Sequence, residues 1–191
     1  MLDQEAVLRR FAQAVEDAHA ELTRLDQRSG DGDFGDNLRG GVREAVTRFE
    51  EGGGTAFGAL GDVFLDEVGG TSGPLFGLLF TEIAHADDVA AGAAAGLAAI
   101  QRVGEAQVGD RTLVDALAPA VDALATGYQA AAKAAADGAA RTAELRARMG
   151  RASYVGDRVK GDPDPGAVGI ALLFWSVATA VEPDADLPSP I

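Results

Sequence analysis

Apolar side chains recur at helical spacing along most of the chain. From Val7 to Leu25 they fall three or four residues apart, and charged residues fill the positions between them. The same spacing, interrupted by short polar segments, continues as far as the apolar segment from Ala167 to Val181. The pattern predicts about eight helices and no strand, with a loop following the first helix near Arg24.

The interruptions contain residues that start or stop helices. Asp36 and Thr55 are placed to cap the second and third helices, and Gly69-Gly70 is placed to end the third. The pair Asp87-Asp88 separates two Ala-rich helices, and the next break falls at Gly104 to Gly109. These signals predict short connections between successive helices. The length of the chain fits one domain.

The C-terminal third contains the longest predicted loop. Gly127 and Gly138 permit further helix breaks, and Met149 to Gly166 combines glycine, proline and mixed charge without periodicity. The final helix is expected over about Ala167 to Val181, followed by a flexible, solvated tail over residues 182–191. We therefore predict one domain over residues 1–191.

Composition supports an all-α fold. Alanine occupies 39 positions, whereas aromatic residues make up only 6% of the chain. Alanine is the best helix former, and a β-rich protein would contain more β-branched and aromatic side chains. The apolar segment near the C-terminus is too short to span a bilayer and is expected to form a core helix.

The charge and the cysteine count exclude several classes of partner and site. The net charge is −14, which disfavours nucleic acid and anionic membranes as partners. The chain has no cysteine, so disulfides and thiolate metal sites are excluded. The acidic N-terminus has no apolar core of a secretory signal, and we expect a cytoplasmic protein.

One predicted loop has the chemistry of a hard-cation site. Asp26, Asp31 and Asp33 are close in sequence, and glycines between them permit a sharp backbone path. Converging carboxylates repel one another unless a cation neutralises them, and oxygen ligands suit Mg²⁺ or Ca²⁺. The alternative is an ordinary Asp/Gly turn in which Asp36 caps the next helix.

Two further loops carry groups that suit phosphate. Gly69 to Pro74 places free backbone N–H groups and two hydroxyls before a helix, although the same residues also serve as ordinary helix punctuation. Arg151 lies in a second loop, where it suits either a phosphate or a surface ion pair. A smaller cluster, Gly109 to Asp115, has the composition of a capped helix start.

Taken in order, these stretches resemble the L subunit, or ADP-binding domain, of dihydroxyacetone (glycerone) kinases. The matching motifs are Leu25-Asp26 with Gly30-Asp31-Gly32-Asp33-Phe34-Gly35-Asp36-Asn37, Gly69-Gly70-Thr71-Ser72-Gly73-Pro74, Gly109-Asp110-Arg111-Thr112, Gly150-Arg151-Ala152-Ser153-Tyr154 and Asp164-Pro165-Gly166. The resemblance runs from about Leu22 to Ala167. It implies a barrel of eight antiparallel helices that binds ADP or ATP with two Mg²⁺ ions at one end.

The resemblance also implies roles for individual residues. Asp26, Asp31 and Asp33 match the magnesium ligands of the family. The nucleotide-binding positions it implies are Phe34, Gly35, Asp36, Asn37, Thr71, Ser72, Gly109, Arg151, Asp164, Pro165 and Gly166. No protein nucleophile is implied, and His19 and His85 are expected on helix faces.

Four positions depart from the family pattern. Phe34 stands in place of a histidine, and Asp36 in place of a small or hydroxylic residue. Ser29 replaces an apolar residue, and Arg111 replaces a lysine. None of these changes removes a predicted metal ligand, but Phe34 cannot donate a hydrogen bond to phosphate.

The implied function is phosphoryl transfer from a magnesium-bound nucleotide to a short-chain ketose. In such systems a separate K subunit holds the ketose, so this chain is expected to be inactive without that partner. The nucleotide is renewed either by a phosphohistidine M subunit of the phosphotransferase system or by exchange with ATP. The alternatives are the nucleotide domain of a fatty-acid-kinase-like or other small-polyol kinase, and a non-catalytic regulatory module that binds nucleotide.

Overall fold

All regular structure in the computed structural model is helical over the residues it describes, 2–52 and 54–191. Eight α-helices follow one another in this part of the chain, which confirms the predicted fold class. Their ranges are α1 Gln4–Ser29, α2 Phe34–Glu50, α3 Ala56–Asp66, α4 Ser72–His85, α5 Val89–Gly104, α6 Val114–Ala123, α7 Tyr128–Arg141 and α8 Pro165–Val181. Short 3₁₀ turns at Thr142–Glu144, Arg151–Tyr154 and Gly156–Val159 lie between α7 and α8.

The helices form an up-and-down barrel. Each helix packs against the next one in the chain, and α8 packs against α1 to close the ring. Consecutive helices pack as antiparallel neighbours, so the connections α1–α2, α3–α4, α5–α6 and α7–α8 all lie at the same end, where residues of all four line one cavity. This arrangement brings four loops that are distant in sequence to one end of the molecule.

Helix α8 and a group of phenylalanines dominate the core. Fourteen of the seventeen residues of α8 are buried, as expected for a helix that is apolar on all sides. The ring of Phe80 lies 5.2 Å from that of Phe64, and 6.0 Å from that of Phe76, measured between centroids. Within the described residues, no helix is both long enough and apolar enough to cross a bilayer.

The structure corrects the predicted end of the first helix. Helix α1 continues to Ser29 and does not end near Arg24. The additional turn forms because Leu25 repeats the buried spacing of Leu22, so that both side chains are almost fully inaccessible. The helix ends at Gly30, whose N–H donates to the carbonyl of Asp26.

Two other expected helix signals also differ. Asp36 does not cap α2, because Asp33 occupies the cap position and Asp36 lies in the first turn. Gly138 is not a break but lies inside α7, where an added Cβ would overlap the backbone of Asp115 on α6. The expected caps Thr55 and Asp88 are confirmed, since their side chains accept backbone N–H groups at 3.1 and 2.8 Å.

The predicted loop from 149 to 166 contains short helical turns, and the C-terminal segment makes a hydrogen bond to α8. The loop contains two 3₁₀ turns, and α8 begins at Pro165, two residues before its expected start. After α8 the segment 182–191 is not helical, and the indole N–H of Trp175 donates to the carbonyl of Leu187 at 3.0 Å. This bond fastens the middle of the segment to the barrel.

Candidate nucleotide and metal site

Three carboxylates converge at the end of the barrel where the four connections meet. Asp26 lies in the last turn of α1, and Asp31 and Asp33 lie in the connection to α2. One oxygen atom from each of the three side chains lies within 4.8 Å of those from the other two. Such a set of hard oxygen ligands fits a divalent cation such as Mg²⁺.

Hydrogen bonds of Asp26 fix the path of the connection between α1 and α2. Its Oδ2 atom accepts the backbone N–H groups of Gly32 and Phe34, each at 3.0 Å. Gly32 has a φ of +85°, a conformation that glycine adopts without steric cost. The loop therefore folds around Asp26 and carries Asp31 and Asp33 toward it.

The carboxylates open into a cavity of about 250 Å³. Its polar side includes Thr71 and Ser72, which stand at the N-terminus of α4. Free N–H groups and the helix dipole at such a terminus attract an anion. A phosphate bound there would lie beside a cation held by the three aspartates.

The remaining wall of the cavity is apolar. It is formed by Leu75, Ile100, Ala106, Leu113, Val114 and Met149. Flat or hydrophobic groups are well accommodated against such side chains. Sequence pattern does not reveal these residues, because their spacing is the same as that of ordinary core positions.

Most of the residues implied by the resemblance lie on this cavity. The lining includes Asp26, Asp31, Asp33, Phe34, Asn37, Thr71, Ser72, Arg151, Asp164, Pro165 and Gly166. They come from three of the four connections. The site therefore depends on the closure of the barrel and not on any single loop.

Three implied residues do not line the cavity. Gly35 is buried where α1 and α2 approach closely, and an added Cβ would lie 3.0 Å from the carbonyl of His19. Asp36 faces α1 and the surface, with Oδ1 2.7 Å from Nε2 of His19. Gly109, at a φ of +100°, donates its N–H to Oδ1 of Asp115 at 2.6 Å.

Phe34 belongs to the floor of the cavity and to the core at once. Its side chain is 7% exposed, and its ring centroid lies 6.2 Å from that of Phe76. An apolar ring is consistent with this position, since a buried polar group would need a hydrogen-bond partner. Only its backbone N–H, which binds Asp26, takes part in the polar network of the loop.

Arg151 links the α7–α8 loop to the connection between α1 and α2, which carries Asp31. Its guanidinium forms an ion pair with Asp31, one of the three convergent aspartates. The two side chains are 62% and 44% exposed, so solvent screens the pair. A positive charge at the mouth of the cavity also suits the phosphates of a nucleotide.

Arg111, expected only as a departure from the family lysine, lies at the site as well. The residue is 1% exposed, lines the cavity and has a φ of +62°. Its Nη2 atom donates to the carbonyl of Asp162 at 2.8 Å, and Nη1 lies 3.8 Å from Oδ1 of Asp164. No local signal announces the burial of an arginine, which is normally exposed.

Burial shifts the pKa values of both Asp164, which caps α8, and its neighbour Arg111. It raises the pKa of Asp164 to about 6, although the N–H of Ala167 and the charge of Arg111 act in the opposite direction. Burial also lowers the pKa of Arg111. On the outer face, by contrast, the hydrogen bond from His19 and the charge of Arg39 lower the pKa of Asp36.

The chain is an all-α barrel whose closure gathers three carboxylates and a helix N-terminus in one cavity, an arrangement that suits a cation together with an anion. Residues 28–179 match the model of the DAK2 domain, and the chain belongs to this family. The match includes Asp31 and Asp33, whereas Asp26 lies two residues before its start.

The relatives include both long kinases and short subunits. The chain is 40% identical to an L-erythrulose 1-kinase of Mycolicibacterium smegmatis, over 88% of this chain but 34% of the relative. It is 34% identical to the ADP-binding subunit DhaL of the PTS-dependent dihydroxyacetone kinase of Lactococcus lactis, over 91% of this chain and 94% of that subunit. The chain therefore spans about a third of the length of the erythrulose kinase and nearly all of the DhaL subunit.

A solved structure supports the fold. The dihydroxyacetone kinase from C. freundii, in complex with AMP-PNP and Mg²⁺, matches 93% of this chain with a TM-score of 0.77 and 28% identity. The matched part is 33% of that kinase. The chain is thus a homologue of the ADP-binding subunits of dihydroxyacetone kinases, with the fold that the resemblance implied.

Proposed function

We propose that this protein is the nucleotide-binding phosphotransfer subunit of a dihydroxyacetone kinase-type system. It would pass a phosphoryl group from a magnesium-bound nucleotide to a short-chain ketose held on a separate K subunit. The observation that carries the proposal is the convergence of Asp26, Asp31 and Asp33 beside the Thr71-Ser72 helix start in one cavity. Relatives named as dihydroxyacetone and erythrulose kinases support a ketose of three or four carbons.

The three carboxylates fit magnesium, and we propose that two ions bind with the nucleotide. Asp26, Asp31 and Asp33 would hold the metal, which when bound neutralises charge on the phosphates during transfer. Thr71 and Ser72 would orient the phosphates through the N-terminus of α4. Arg151 would hold phosphate at the mouth, and the apolar wall would receive the base.

The chain's own contribution to transfer is positioning and electrostatics. No side chain of the cavity is proposed as a covalent nucleophile, and the ketose would be supplied by the partner subunit. We further propose, with exchange of ATP as the alternative, that the nucleotide remains bound and is rephosphorylated by a phosphohistidine M subunit, which the similarity to the PTS-dependent DhaL subunit supports. Mass spectrometry of the native protein tests this last point, because a retained ADP is expected after purification.

Calorimetric titration with Mg-ADP tests the metal and nucleotide assignment. Asp31→Ala should abolish magnesium-dependent nucleotide binding and leave the helical circular dichroism spectrum unchanged. Asp62→Ala is the matched control, since Asp62 is an exposed aspartate on α3 outside the cavity. Wild-type affinity in Asp31→Ala would remove the metal assignment.

A coupled assay with a cognate K subunit tests the transfer step. Formation of the ketose phosphate should require both proteins, magnesium and a nucleotide that carries a transferable phosphoryl group. Binding of ADP without transfer to dihydroxyacetone or either erythrulose would instead identify a regulatory module.

A further inference from the structure

The loop between α7 and α8 forms one wall of the cavity and contributes little buried apolar surface of its own. From Gly150 to Lys160, Val159 is the one buried residue. This segment nevertheless carries Arg151 and leads to the Asp164-Pro165-Gly166 turn at the nucleotide site. Its position must therefore be fixed by polar contacts to the rest of the barrel.

Three arginines make several of those contacts, from two different directions, beside a bond from the N–H of Asp164 to the hydroxyl of Thr142 at 2.7 Å. Arg24 and Arg28, on the last turns of α1, bind the carboxylate of Asp162 at 3.0 and 2.5 Å. Both are nearly half exposed, and they hold the loop from outside. The third, Arg111, approaches from inside the barrel and is 1% exposed.

Arg111 binds the loop at points that the outer arginines do not reach. Its Nη2 atom donates to the carbonyls of Asp162 and Val159, at 2.8 and 3.5 Å. Within the described residues its Nε and Nη1 atoms are buried without a hydrogen-bond acceptor, and Nη1 lies 3.8 Å from Oδ1 of Asp164. Asp164 in turn caps α8 by accepting the N–H of Ala167 at 2.9 Å.

The backbone of Arg111 has an unusual conformation, which directs its side chain toward the loop. Its φ of +62° is rare for a residue with a side chain. The turn that holds this conformation is fastened by Asp115, whose carboxylate accepts the N–H groups of Gly109 and Thr112 at 2.6 and 2.9 Å. Such a conformation persists where the surrounding structure fixes it, and it often marks a functional position.

We propose that Arg111 is a positioning residue that fixes the α7–α8 loop as the wall of the nucleotide cavity. It would act through the loop carbonyls and Asp164, and not by touching the nucleotide, because the Nε and Nη1 atoms are inaccessible. The inference rests on the proposed nucleotide-binding function. In this role Arg111 would keep Arg151, and the turn that begins α8, in the orientation that the nucleotide site requires.

Binding measurements on Arg111→Met and Arg111→Lys test the inference. Arg111→Met should weaken Mg-ADP binding by about tenfold or more and speed release of a fluorescent ADP analogue, because the loop would open more often. The affinity for Mn²⁺ alone should stay within about twofold, because Asp26, Asp31 and Asp33 are carried by α1 and its connection to α2. The loop reaches them only through the Arg151–Asp31 pair, which solvent screens. Arg111→Lys should recover part of the loss, since lysine keeps the charge but cannot reach two carbonyls and Asp164 together.

Arg24→Met is the matched control. It removes one positive charge from the outer side of the same loop, but leaves Arg28 on the carboxylate of Asp162, so the Mg-ADP affinity should change by less than about twofold. Equal affinities in wild type and Arg111→Met would overturn the inference. If Arg111→Met does not fold, the comparison of Arg111→Lys with wild type decides the same question.

Hydrogen exchange separates this inference from the proposed function. Without any nucleotide, backbone amides of residues 148–162 should exchange faster in Arg111→Met than in wild type, while those of α1 stay protected. Faster exchange together with no nucleotide binding by wild type would reject the proposed function and leave the positioning role. Unchanged exchange would reject the positioning role itself.

Discussion

The imidazole Nε2 atom of His19 lies 2.7 Å from Oδ1 of Asp36, and this pair joins α1 to α2 on the outer surface of the barrel. Arg39 also contacts Asp36, at 3.1 Å. Asp36 is thus held away from the cavity, whereas the next residue, Asn37, lines it. Two adjacent residues of one motif therefore have different surroundings.

We expect substitutions at these two positions to differ in their effect on nucleotide. Asp36→Asn should keep the Mg-ADP affinity within about twofold, because the side chain faces α1. Asn37→Ala should weaken binding by about fivefold to thirtyfold, the cost of one lost hydrogen bond in a cavity. Calorimetry on the two variants checks this, and equal losses at both positions would place Asp36 in the site.

Gly35 is expected to be intolerant of a side chain for a packing reason. Gly35→Ala should lower the free energy of unfolding by about 1–3 kcal/mol, because the methyl group would push α1 and α2 apart. Gly40→Ala on the same helix is the control, as no atom lies within 4 Å of its added Cβ. That change should raise stability by about 0.5–1 kcal/mol. Urea unfolding followed by the fluorescence of Trp175 measures both, and a stabilising Gly35→Ala would contradict the packing role.

The stability of the protein should carry a pH dependence from Asp164. Its pKa is about 6 in the folded protein, against an ordinary value of 3.8. The folded state therefore keeps the proton of Asp164 to a higher pH than the unfolded state does. The resulting stabilisation is complete below the ordinary pKa of 3.8 and is lost as the pH rises through the folded-state pKa of about 6. Between these values the loss should reach up to about 3 kcal/mol.

Comparison with Asp164→Asn isolates that contribution. Asparagine can still accept the N–H of Ala167 but does not titrate in this range. In metal-free buffer, the free energy of unfolding of wild type should fall relative to that of the variant from about pH 4 to pH 7. Parallel pH profiles for the two proteins would show that Asp164 is not perturbed in this way.

The turn before α6 should depend strongly on Asp115. Its side chain is 6% exposed and accepts two backbone N–H groups that have no other partner in this turn. Asp115→Ala should therefore lower the free energy of unfolding by about 2–4 kcal/mol. Asp122→Ala, an exposed position on the same helix, should change it by less than about 0.5 kcal/mol. Thermal and urea unfolding check the pair, and similar small effects at both positions would be evidence against the turn contacts.

Helix positions were predictable because their signals are local. Periodic apolar residues gave the number of helices, and Thr55 and Asp88 cap where their side-chain chemistry indicated. The clustering of Asp26, Asp31 and Asp33 was also visible, since only a few residues separate them. The length of α1 was underestimated because its last turn mixes charged residues with the buried Leu25.

What the sequence could not reveal depends on residues far apart in the chain. The burial of Arg111 requires the loop around Val159, 48 positions away, to fold over it. Asp36 is drawn outward by His19, which lies 17 positions earlier. Gly35 and Gly138 resemble turn glycines in sequence, although both serve close contacts between helices. In each case the deciding contact is tertiary.

The hydrogen bonds of Asp26 set a limit on how that residue can serve a cation. Its Oδ2 atom is already shared by the N–H groups of Gly32 and Phe34, so Oδ1 is the oxygen left for direct coordination. If the proposed cation binds here, Asp26 would serve it as a monodentate ligand. The carboxylates of the chain would then supply too few oxygens for an octahedral ion, and water and the anion in the cavity would fill the remaining positions.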